Sequence, residues 1–237
     1  MGTTLLESLD LLIANIFIGS EEMGVLAVAK TVPSMVSSLI STMNSIFMPS
    51  LTFSFAKNDK DTMLSDIKIA MKITGLITCV PISVLVIFGD SFYSLWQPTL
   101  DSHKLHILSI LTVSGFMVSG VINVIFNIFT VTNKVKIPAI IQVATGIMNT
   151  LIVLLFVNIS DFGIYAVAGV SSALCIIKNL FIIVPYSCKC IGIKKTSLYP
   201  DIIKCLIAII LSSIIGLFIN NYVNISGWFT LIIFCII

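Results

Sequence analysis

Arginine is absent from this sequence, and all 13 basic residues are lysine. Low-G+C coding accounts for that, given how rich the chain is in Ile, Asn and Lys. The other reading is selection against arginine, whose bidentate fork lysine replaces poorly. Charge of either sign is scarce, at 10% of residues against about 25% in a soluble domain. With 57% of residues hydrophobic and a mean hydropathy of +1.12, the chain cannot cover a water-facing surface, so its solvent is lipid. Lipid requires every backbone N–H and C=O to be paired internally, which leaves helices or a closed barrel. Barrel strands alternate apolar and polar residues. That alternation is lacking, and the apolar runs continue over about twenty residues, the length of a spanning helix. The fold class is therefore all-α, a polytopic membrane helix bundle.

Other absences narrow the reading further. There is no low-complexity tract, and no connection is long enough to fold by itself. The first apolar run carries Glu7 and Asp10 where a cleavable signal would carry basic residues, and no small-residue cleavage site follows it. Cys188-Lys189-Cys190 lacks the second ligand pair of a metal site, and most of the six cysteines sit in apolar runs as small hydrophobes. Neither a metal nor a cofactor is expected. The net charge of +2 gives no reason to expect nucleic acid as a partner.

About eight apolar segments are present: Thr3–Gly19, Thr31–Phe55, Ile67–Gly89, Leu105–Thr130, Ile137–Val157, Phe162–Ser187, Ile202–Ile219 and Gly227–Ile237. Lysine follows them in alternation. Lys57, Lys60, Lys68 and Lys72 come after the second segment, Lys134 and Lys136 after the fourth, and Lys189, Lys194, Lys195 and Lys204 after the sixth. The alternate connections hold only Lys30 and Lys104. Lysine excess marks the cytoplasmic side. The expectation is a multi-pass protein of the inner (plasma) membrane with its N-terminus cytoplasmic. The last segment is about half the length of a span, so the chain is expected to be a fragment of a larger transporter.

The stretch Asp10-Leu-Leu-Ile-Ala-Asn-Ile-Phe-Ile-Gly19, followed by Glu22-Met-Gly24-Val-Leu-Ala27-Val-Ala29, Pro49 and Phe55-Ala56-Lys57-Asn58-Asp59, resembles a polysaccharide biosynthesis membrane protein. These are the O-antigen and capsule repeat-unit flippases of the multidrug/oligosaccharidyl-lipid/polysaccharide exporter superfamily. The resemblance is to the start of the C-terminal lobe, with Leu26 where the family often has an aromatic residue. It implies one lobe plus extra helices of a two-lobe transporter: a six-helix bundle over residues 1–188, and two additional membrane helices over 189–237. It also implies a cavity between lobes and alternating access. The implied partners are the lipid bilayer, a lipid-linked oligosaccharide, the missing N-terminal lobe and a coupling cation, H+ or Na+.

Candidate pathway residues are the polar ones in apolar runs. Asp10 sits mid-segment, where a carboxylate costs about 2.5–3.5 kcal/mol on the translocon scale, and such groups face a bundle interior or a wet cavity. It would bind a coupling ion or sugar hydroxyls, or else serve as a structural partner for a group such as Asn44 or Lys178. Glu7, three residues earlier, shares its helix face; a paired-acid face suits cation coupling, and a solvated Glu7 is the alternative. Lys178 is the one lysine inside a segment. It would attract an anionic polyprenyl diphosphate or snorkel to the nearer interface. Asn123 and Asn127, with Ser119 a turn earlier, form a polar stripe that would line a sugar pathway or hydrogen-bond a neighbouring helix. Pro33, Pro49, Pro81 and Pro185 would kink their helices. Tyr93 and Trp96 read as interfacial anchors, and His103 and His106 as solvated at the same face.

Translocation of polyprenyl-diphosphate-linked repeat units is the function these readings favour. A multidrug or cation antiporter of the same superfamily is the alternative. A membrane glycan polymerase or transferase is a third class, but such an enzyme needs positioned acid–base or metal groups on a substantial loop. The longest outer connection, around Ser91–Lys104, offers Asp101, two histidines and little else.

Overall fold

The computed structural model describes residues 2–159, 162–220 and 227–231, with the side chains of residues 2–8, 158, 219 and 220 outside the description. The described regular structure is helical: α1 (Gly2–Phe17), α2 (Ser20–Ala56), α3 (Lys60–Trp96), α4 (Ser102–Ile122), α5 (Ile125–Val131), α6 (Lys136–Ile159), α7 (Gly163–Lys178), a π-helical turn (Asn179–Ile183), α8 (Val184–Ile191) and α9 (Tyr199–Asn220). Among the described residues, six stretches are long and apolar enough to cross a membrane: Ser20–Ala56, Lys60–Trp96, Ser102–Ile122, Lys136–Val157, Gly163–Ile191 and Tyr199–Phe218. The chain is a polytopic helical bundle. The expected segment at Gly227–Ile237 lies mostly outside the described residues.

α2 and α3 each run 37 residues, about 55 Å at 1.5 Å per residue, well beyond the roughly 30 Å hydrocarbon core. Asp59 starts α3 by accepting the Thr62 N–H at 3.0 Å, and Asp101 starts α4 by accepting the N–H groups of His103 and Lys104. α3 and α4 form the buried centre. α2 packs on both, α7 packs on α4, α9 packs on α3, and α6 lies against α7 and α1. Close approach needs small residues: a Cβ on Gly120 of α4 would fall 2.6 Å from the Thr78 side chain of α3.

Successive spans return the lysines to one end. There Lys68 and Lys72 approach Asp201 at 4.0 and 3.9 Å, and the Lys134 ammonium donates to the Cys190 carbonyl at 3.4 Å. The core divides accordingly. One cluster around Met63, Ile67, Ile125, Phe129 and Val184 lies toward the lysine-rich end, and another around Leu26, Ile82, Tyr93, Leu105 and Val167 toward the opposite end.

Three local expectations need correction. Lys30 is not in a connection: α2 begins at Ser20 and carries Lys30 into the bundle. The fourth segment is not one helix. It breaks at Asn123–Val124, where the N–H groups of Phe126 and Asn127 bond three residues back to Asn123 and Val124. Tyr93 is fully buried, sharing a 2.6 Å hydrogen bond with Ser109, and His106 Nε2 lies 3.0 Å from the Leu85 carbonyl, so neither is a solvated interfacial group. The sixth segment contains the π-helical turn. Pro185 has no N–H to offer four residues back, and the ladder widens so that the Val184 N–H reaches Asn179.

Candidate functional site

Four helices meet at Asp10. Its side chain is buried, at 3% exposure, midway along α1. The Lys30 ammonium from α2 donates to Oδ2 at 2.8 Å. Asn149 Nδ2 from α6 donates to Oδ1 at 3.1 Å, and the Ser171 hydroxyl from α7 lies 3.0 Å from both oxygens. The Asn149 amide also donates to Ser171 Oγ at 3.0 Å, which turns the hydroxyl proton toward the carboxylate. A carboxylate in an apolar bundle is tolerable only with such pairing. The partners expected from sequence, Asn44 and Lys178, are elsewhere.

This cluster lines a cavity of about 340 Å³, together with Thr31, Ser34, Thr145 and Ser172. α4 and α7 approach closely at its wall: a Cβ on Gly115 would lie 3.3 Å from the Ser172 backbone, and the Ser172 hydroxyl donates to the Thr112 carbonyl at 3.2 Å.

Lys178 ends α7 and does not snorkel to an interface. It is 8% exposed, and its ammonium donates to Gln142 Oε1 at 2.6 Å. No carboxylate among the described residues pairs with it. The Gln142 Nε2 and Asn179 Oδ1 atoms are buried without a hydrogen-bond partner among the described residues. These three side chains line a second cavity of about 510 Å³, with Asn123 and Ser119. Phe116, Gln142, Cys175 and Lys178 line both cavities, so the two adjoin as a candidate passage, with the Asp10–Lys30 ion pair on the first and Lys178, which has no carboxylate partner among the described residues, at their shared wall. Asn179 also opens the π-helical turn, a distortion found often at functional sites.

The other sequence candidates separate. Asn123 faces the passage, whereas Asn127 hydrogen-bonds Asn44 of α2 and lines neither cavity. The break between α4 and α5 removes the common face on which their spacing depended. Glu7 lies on α1, but its side chain is outside the described residues. Lys30, Gln142, Asn149, Ser171 and Asn179 were not singled out from sequence. A signal existed on α6, where Gln142, Thr145 and Asn149 fall at helical spacing inside an apolar run. Among the described residues, no group of three His, Cys, Asp or Glu side chains gathers to hold a metal.

Over 233 residues the chain is 26% identical to a protein of Bacillus subtilis (strain 168) named uncharacterized membrane protein EpsK. The alignment covers 98% of this chain and 46% of the relative, so the chain spans about half the length of the curated relative it matches. No family model matches the chain, and no solved structure does.

Proposed function

We propose that this bundle forms one wall of a membrane translocator for lipid-linked oligosaccharide, working by alternating access in the plasma membrane with the lysine-rich end cytoplasmic. The observation that carries the reading is the pair of adjoining cavities, on which Lys178 stands buried with no anionic partner among the described residues. A soluble interior would exclude so costly a group, and in a membrane bundle a buried ionisable residue marks a pathway. Among the described residues that line the two cavities, two ammoniums stand against one carboxylate, a surplus positive charge suited to a diphosphate-linked substrate. Unpaired amide atoms on Gln142 and Asn179 offer a donor and an acceptor for sugar hydroxyls. The relative, about twice as long and named a membrane protein, fits a partner bundle that completes the passage. The reading is transport rather than chemistry on the substrate.

A cation antiporter of the same superfamily is the second reading, favoured by the Asp10–Asn149–Ser171 cluster, whose oxygens would suit a coupling H+ or Na+ once Lys30 withdraws. Surface glycan display in an exporter-deletion strain tests the first reading. The full-length parent, meaning a protein that joins this chain to the proposed partner bundle, should restore display and its Lys178→Gln variant should not, at equal membrane abundance. Undiminished display with Lys178→Gln refutes the role of the passage. Drug resistance without glycan display would favour the antiporter.

A further inference from the structure

A third cavity, of about 310 Å³, lies away from the passage, where the α2–α3 turn meets the end of α8. Lys60 and Lys189 stand on it, and Phe55, Met63 and Ile191 supply its apolar lining. Asp59 lines it too, but its carboxylate is turned to the start of α3: Oδ1 accepts the Thr62 N–H at 3.0 Å and Oδ2 the Thr62 hydroxyl at 2.6 Å. Neither lysine has an acidic partner among the described residues, whereas Lys68 and Lys72 at the same end share Asp201. Gly192 ends α8 in the left-handed conformation at φ 79°, and the Lys60 ammonium lies 3.4 Å from where a Cβ would stand there. Lys134 brings a further ammonium to the Cys190 carbonyl. Phe55, which lines the cavity, is also 41% exposed, so its ring joins the cavity to the outer surface of α2.

We propose that this cavity binds the phosphate headgroup of an anionic membrane lipid, with Lys60 and Lys189 on the phosphate and an acyl chain along Phe55. Two features select a lipid over a soluble anion: two lysines without acidic partners among the described residues lining one concave site, and a half-exposed aromatic ring, Phe55, in its apolar wall. Basic pockets of this kind at the end of membrane helices retain anionic headgroups.

The test uses the full chain in phosphatidylcholine nanodiscs doped with phosphatidylglycerol, with retained lipid read by native mass spectrometry. Phosphatidylglycerol should be retained in preference to phosphatidylcholine, and a Lys60→Gln/Lys189→Gln double variant should lose roughly thirtyfold in affinity, from about 1 kcal/mol per lysine. Lys136→Gln/Lys204→Gln removes two exposed lysines that line none of the three cavities described, and should retain the lipid. An equal loss in both variants would mean only a diffuse basic rim and would overturn the site. Site-resolved alkylation of Cys190, which lines the cavity, supplies a reading on the unmutated chain. Phosphatidylglycerol should protect it and inorganic phosphate should not; equal protection by phosphate, or none by the lipid, overturns the lipid assignment.

Discussion

The Asn127 side-chain amide donates to both oxygens of Asn44, the backbone carbonyl at 2.9 Å and the side-chain oxygen at 3.0 Å. This clamp ties α5 to the middle of α2 where α4 has broken off. Replacing Asn44 by Ala leaves the backbone acceptor in place, so it should cost little. Replacing Asn127 by Leu removes both bonds and should lower stability by about 1 kcal/mol, within the range for interhelical polar contacts in membranes. Denaturant unfolding in micelles measures both, and a larger loss for Asn44→Ala would contradict the clamp.

The Asp10–Lys30 pair makes a different prediction. Removing one member of a buried pair leaves the other charge uncompensated, at a cost of about 3–5 kcal/mol. Asp10→Asn alone and Lys30→Gln alone should therefore reduce the folded yield. The double variant should regain much of it, because no isolated charge remains. If the pair serves transport, glycan export in the full-length parent stays absent in the double variant. Export restored along with abundance would assign the pair a purely structural role.

The lysine-rich end should face the cytoplasm. Cysteines introduced at Asp59 and Lys195 should resist an impermeant maleimide in intact cells, and one at Ser102 should react. Labelling at Lys195 from outside would invert the topology.

Asp59 offers a pH test outside the spanning segments. The Thr62 hydroxyl and N–H hold its carboxyl below the ordinary value of 3.8. A carboxyl depressed in the folded state stabilises at any pH above its unfolded value, and that contribution is lost as pH falls through the folded value. The melting-temperature gap between the unaltered chain and Asp59→Ala should be full at neutral pH and shrink on strong acidification. A gap that grows in acid would contradict the sign.

The spanning helices were legible because hydropathy sets them almost alone. Continuous apolar runs and alternating lysines located the stretches that became α2 to α9. Contacts between helices were not legible. Lys30 read as a loop residue because Glu21, Glu22 and the glycines around them weaken the apolar run, yet α2 starts before them and places Lys30 a few turns deep. The partners of Asp10 lie 20, 139 and 161 residues away, and single-sequence periodicity carries no such pairing. The Asn123–Asn127 stripe divided between its two readings, Asn127 hydrogen-bonding a neighbouring helix and Asn123 lining a cavity, because helical spacing was carried across a break between α4 and α5.

Lys178 gives the sharpest separation of stability from function. Its ammonium is buried against one amide oxygen, with no carboxylate among the described residues to offset its desolvation. A structural lysine would be paired, so its removal would destabilise. An ammonium kept for a ligand is a standing cost, and its replacement by an apolar residue of similar shape relieves that cost. Lys178→Met should therefore raise stability in detergent by about 1 kcal/mol, while abolishing glycan export by the full-length parent. Gln142→Leu, which strips the buried ammonium of its amide acceptor, should impair export and lower stability, opposite in sign to Lys178→Met. A Lys178→Met protein that is destabilised and loses export only in proportion to its abundance would make Lys178 a packing residue and withdraw the main support for the translocation reading.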